Sequence, residues 1–160
     1  QELLETAFSG LSKIKTLHIL SGNITDRLGV ISFYVDNIHH NLVTRLLNDR
    51  YGIQVRGGCS CAGTYGHFLL DVDFGMSKEI TDRIDAGDLS MKPGWIGLSL
   101  HPTMTNTELH EIIQAIADIT ENAAEWAKDY IYDRHTNEFN NRNNNLTGAE
   151  NNPESWFEIS

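Results

Sequence analysis

The sequence predicts a two-layer α+β domain, a small and mostly antiparallel sheet of about four strands with helices on one face. Three observations carry this reading. Residues 30–35 and 95–100 are short apolar runs with the β-branched and aromatic content of buried strands. Stretches of helical periodicity stand between the strands. A length of 160 residues, 40% hydrophobic and 21% charged, suits one globular domain with a sizeable core. A ferredoxin-like sandwich uses the same elements in a different connection order and is the alternative.

The elements follow in order. Leu3, Leu4, Ala7, Phe8 and Leu11 share one face at helical spacing, which predicts a helix over residues 1–13. Residues 16–20 form a short strand, and Gly22-Asn23 supplies a turn before the strand at 30–35. Asp36 or Asn37 caps the next helix, which buries Leu42, Val43, Leu46 and Leu47 and ends at Gly52. Residues 53–56 make a third strand, and 66–72 read equally as helix or extended chain. Ser77 opens a short helix with Ile80 and Ile84 inward, ending near Gly87. Lys92-Pro93-Gly94 turns the chain into the fourth strand. Thr105 and Glu108 form a capping box for a long helix whose apolar face runs from Leu109 through Ile112, Ile116, Ile119 and Trp126 to Tyr130.

Beyond residue 135 the periodicity stops. Eight asparagines fall between 137 and 152, so the expected organisation is a domain over 1–135 and a partly disordered, asparagine-rich tail over 136–160. Trp156, Phe157 and Ile159 are apolar enough to dock the tail's end.

A net charge of −10, with twelve basic residues scattered along the chain, argues against a nucleic-acid partner. No apolar run has the length of a membrane span, and no signal peptide is visible. Two cysteines one residue apart cannot easily bridge a fold, and they suit a reducing cytoplasm.

Those cysteines mark the densest chemistry in the chain, Val55-Arg56-Gly57-Gly58-Cys59-Ser60-Cys61-Ala62-Gly63. Glycines allow positive φ and close approach to a ligand, and a neighbouring guanidinium favours the thiolate. The segment reads either as a mobile loop carrying a nucleophile or as a glycine-rich turn with two inert thiols. Arg56 either holds a substrate carboxylate in a cleft or pairs with an acidic neighbour. Cys59, Cys61 and His67, with His39 or His40, have zinc-ligand chemistry, but structural zinc sites use wider cysteine spacing. His39-His40 reads as a solvated first turn of a helix, and His101 as a residue of loop geometry.

Residues 52–62, Gly-Ile-Gln-Val-Arg-Gly-Gly-Cys-Ser-Cys-Ala, resemble the "GI-x-hydrophobic-R-x-G-x-x-C-A" pattern of the class V aminotransferase superfamily. That superfamily includes the cysteine desulfurases and selenocysteine lyases. Two further blocks are similar to it in the family's order: 27–33, and 94–101 followed by Thr105-Asn106-Thr107-Glu108. The resemblance spans roughly residues 1–130 and implies the small C-terminal domain of a fold-type I enzyme dependent on pyridoxal phosphate. It places Cys61 at the persulfide-forming position and makes Cys59 an extra thiol. An unperturbed thiol, with a pKa of about 8.5, is only a few per cent ionised at neutral pH, so the loop must improve on that.

The chain departs from the family at Gly97, where the last strand usually carries the arginine of "R-x-S" that holds the substrate carboxylate. No block resembles the large domain with its Schiff-base lysine, aspartate and phosphate loop, and the chain opens on Gln1. The expectation is therefore a fragment, inactive alone, whose partners are its own large domain and a second copy in a cytoplasmic homodimer. The intact enzyme would act on an amino acid as desulfurase, lyase or transaminase. A thiol-bearing binding or sulfur-relay module without catalysis is the alternative.

Overall fold

The computed structural model describes residues 2–58 and 74–143. The first sheet contains β1 (Leu17–Ile19), β2 (Val30–Val35), β3 (Arg56–Gly58) and β4 (Trp95–Ser99) in the order β1-β2-β4-β3. Every pairing is antiparallel. Helices α1 (Glu2–Leu11), α2 (His40–Tyr51) and α4 (Asn106–Trp126) cover one face, and α3 (Phe74–Asp85) precedes β4. The fold is thus the α+β, two-layer, four-stranded antiparallel arrangement that the sequence predicts.

Alternation explains the two layers. Ile31, Phe33 and Val35 of β2 are buried, while Val30 is exposed and Ser32 and Tyr34 are half-buried. The β2–β4 ladder sets Ile31 against Leu98 and Phe33 against Ile96, so these four fill the helix-facing side together. Leu46 and Leu47 of α2 and Leu109, Ile116 and Ile119 of α4 close over them, each fully buried. Full burial stabilises a side chain of this size by about 1.5–3 kcal/mol. The capping box at α4 is formed: Thr105 N–H donates to Glu108 Oε2 at 2.7 Å, and Glu108 N–H donates to Thr105 Oγ1 at 3.2 Å. Gly52 ends α2 with φ +67°.

Three boundaries differ from the sequence expectation. His39, not Asp36 or Asn37, caps α2, its Nδ1 accepting from Asn41 N–H at 3.1 Å. Asp36 is engaged by His18 Nε2 at 2.9 Å, and Asn37 takes a turn conformation with φ +58°. The third strand is Arg56–Gly58; Ile53 and Val55 pack on the core without joining the ladder. Helix α4 ends at Trp126, and after a 3₁₀ turn Tyr130 begins β5 (Tyr130–Asp133), which pairs with β6 (Glu138–Asn141). The expected boundary at residue 135 falls in the turn of this hairpin. Residues 66–72 and the tail beyond Asn143, including Trp156, Phe157 and Ile159, lie outside the described residues.

Entry into β2 is a tight fit. Arg27 donates from Nε to Ile24 O at 2.7 Å and from Nη2 to Ser21 O, with its guanidinium 5.1 Å from the Phe8 ring centroid. Leu100 N–H then donates to Gly29 O at 2.6 Å. A Cβ on Gly29 would lie 2.5 Å from the backbone oxygen of Leu100, which has little freedom to move. Gly29→Ala is therefore expected to cost about 2 kcal/mol, read as a lower urea midpoint at unchanged m-value. An unchanged midpoint would show that the strand entry is not packed this way.

Candidate functional site

The sheet face away from the buried core carries the residues of chemical interest. Arg56 of β3 lies directly opposite Gly97 of β4, and Gly97 lies directly opposite Ser32 of β2. Directly opposed residues project to the same face, so the three form one row across three strands. Around the position of a Gly97 Cβ, the nearest heavy atoms among the described residues are Arg56 O at 3.8 Å and Arg56 Cβ at 4.0 Å. Arg56 is exposed, and its guanidinium has no ion pair or hydrogen bond among the described residues. The same face bears the His18–Tyr34 stack, with centroids 4.8 Å apart, and exposed Val30. Leu28, just before β2, is 86% exposed.

Strand β3 leads straight into the cysteine segment. Gly57 lets the strand approach α2: a Cβ there would meet Asn41 Oδ1 and Thr44 Oγ1, both at 2.7 Å. Gly58 has φ +115°, a conformation that disfavours other residues. Cys59, Cys61 and His67 lie outside the described residues. Arg56 is thus the sequence-derived candidate whose surroundings are described, and Ser32 is a neighbour that the sequence reading passed over. Its signal was the polar position inside the apolar alternation of β2. His101 serves its loop, its Nδ1 lying 2.7 Å from Thr103 Oγ1.

A second cluster overturns the reading of His39-His40 as a solvated turn. The hairpin β5–β6 packs over the start of α2, leaving His40 only 6% exposed. The two imidazoles stack with centroids 4.3 Å apart, and Tyr132 and Phe139 lie 5.5 and 5.4 Å from the His39 ring. Asn41 Nδ2 donates to Asn137 O at 2.6 Å, and Tyr132 O–H donates to Asn137 Oδ1 at 2.7 Å. Burial lowers the pKa of His39; the nearby Asn137 side chain offsets part of this, although Nε2 is buried without a well-formed hydrogen bond. Burial, then the charges of His39 and Lys92, push His40 down to about 4.

Lys13, Lys15, Lys78 and Lys128 are exposed, and half-buried Lys92 stands in a polar groove beside His40, Asn41 and Asn137. Among the described residues, no group of three or more His, Cys, Asp and Glu side chains is placed to hold a metal ion. No helix among them is long and apolar enough to cross a membrane.

The antiparallel sheet, its covering helices and the Arg-Gly-Gly strand running into paired cysteines define a class of chain as well as a fold. The family model described as aminotransferase class-V matches residues 1–126. The chain belongs to that family. No curated protein sequence matches it. The family match ends at Trp126, the last residue of α4, so the β5–β6 hairpin lies beyond it.

Because the folded state holds His40 neutral with a pKa near 4 against an ordinary 6.5, its contribution to stability is complete above pH 6.5. It is lost as pH falls from 6.5 towards about 4 and changes no further below that. Urea denaturation across this range should show a loss approaching roughly 3 kcal/mol. His40→Phe should flatten that slope; an unchanged slope in the variant would assign it to other groups.

Proposed function

We propose that this chain supplies the small domain of a pyridoxal-phosphate-dependent class V enzyme acting on an amino acid, related to the cysteine desulfurases and selenocysteine lyases. The observation that carries the reading is Arg56, unpaired among the described residues and set directly opposite Gly97 at the head of the segment bearing Cys61. Arg56 stands one strand away from the family's usual arginine, on the same face, and takes over the substrate carboxylate. Cys61 is the sulfur acceptor. Its thiolate attacks the substrate sulfur; a sulfur–sulfur bond forms as the carbon–sulfur bond breaks, and the electron pair stays on the substrate carbon for protonation. Cys59 has no required part in this step.

Pyridoxal phosphate supplies electron withdrawal from the substrate's α-carbon when bound, and in this reading a large domain holds most of it. The sheet face bearing exposed Val30, with exposed Leu28 just before the strand, is the side offered to that domain. The intact enzyme is a cytoplasmic homodimer in the same reading.

Two measurements test it. Titrating the 160-residue chain with pyridoxal phosphate should leave no Schiff-base absorbance after dialysis. A stoichiometric, borohydride-reducible adduct at one lysine would overturn the division of labour. In the enzyme containing this chain, Cys61→Ala should reduce sulfur release from cysteine by about a hundredfold or more, and Cys59→Ala by only a few-fold. Equal activity of both variants and wild type would remove the loop thiols from the chemistry.

A further inference from the structure

The row Ser32–Gly97–Arg56 has a shape as well as a charge. Neighbouring strands lie about 4.8 Å apart, so the Ser32 and Arg56 backbones are about 10 Å apart with glycine between them. Among the described residues, only Arg56 atoms lie within 4 Å of where a Cβ at 97 would stand. Ser32 is half-buried, and its hydroxyl, like the Arg56 guanidinium, has no partner among the described residues. Along β4, alternation puts buried Trp95 and exposed Ser99 on the same face, two residues either side of the glycine. The row thus has no side chain at its centre, with a cation on one side and a hydroxyl on the other.

We propose that Gly97 is the floor of a carboxylate-binding notch, with Arg56 and Ser32 as its two walls and Ser32 a second substrate-binding residue. The inference rests on the reading of Arg56 as carboxylate anchor and deepens it. A carboxylate offers about four lone-pair sites. The planar guanidinium takes two in a bidentate fork, and the serine hydroxyl donates to a third. The carboxylate then seats over the β4 backbone, in space that any side chain at 97 would fill. Glycine there is part of the site, and the substrate class is an amino acid whose carboxylate enters the notch. Gly97→Arg would not restore a clamp: it would fill the notch and set two guanidinium groups directly opposite each other, a repulsive pair.

The test uses the ¹⁵N-labelled 160-residue chain titrated with sodium acetate against sodium chloride at equal ionic strength. The Arg56 Nε–H and the Gly97 N–H signals should shift saturably with acetate. Arg56→Gln should abolish the shifts at Gly97. Ser32→Ala should weaken binding about fivefold to tenfold, the worth of one hydrogen bond, and Ser32→Thr should retain affinity. Gly97→Ala should weaken binding by a comparable factor or more at an unchanged or raised thermal midpoint, since among the described residues its Cβ meets only ordinary contacts. Loss of binding in Arg56→Gln, with Gly97→Ala and Ser32→Ala binding as wild type, would overturn the notch and leave Arg56 as anchor. Absence of saturable shifts in the wild type, or unchanged binding in Arg56→Gln, would overturn both.

Discussion

The register of β2 against β4 decides which side chains the sheet buries and which it offers. With Phe33 opposite Ile96 and Ile31 opposite Leu98, four large apolar groups face the helices together. The same register leaves Ser32 and Gly97 on the other face. Side chains alternate with a period of two, so a slip of one residue would expose the core set and bury the polar one. The apolar loss resists that slip, at about 1.5–3 kcal/mol for each large side chain exposed. The core therefore positions the candidate site: β3 adds to the far side of β4, and its pairing sets Arg56 against Gly97.

The hairpin makes a second, separate use of polar groups. It closes over the start of α2 through Asn137, Tyr132 and Phe139 and holds two imidazoles in a poorly solvated stack. Neutral imidazoles tolerate that burial and charged ones resist it. The segment beyond the family match thus packs on buried imidazoles, while the matched segment carries Arg56 and the cysteines.

Much of the fold was legible because apolar periodicity fixed the element types. The buried faces of β2, α2 and α4 follow Ile31, Phe33, Leu46, Leu47, Leu109 and Ile116 as the pattern requires. The capping box was readable because both partners lie within four residues. What the sequence hid were competitions. Asp36 is a better cap than histidine by preference, but His18 engages it, and His39 caps instead. Ile53 and Val55 have strand composition, yet they serve the core, and the ladder moves to Arg56–Gly58. The hairpin was obscured by asparagines because Asn137 is ordered through Asn41, 96 residues earlier. Arg56 and the missing arginine at 97 were both visible as motif and departure. That they stand side by side was not, because cross-strand register is settled by tertiary packing. Ser32 escaped notice for the same reason.

This register brings Ser32, Gly97 and Arg56 into one row on the face away from the helices. Backbone nuclear Overhauser contacts in the labelled chain measure it directly. The expected result is cross-strand contacts from Gly97 to both Arg56 and Ser32, together with Ile31 to Leu98. Contacts from Arg56 to Ile96 or Leu98 as its direct partner would contradict it, because that shift carries the guanidinium to the other face of the sheet.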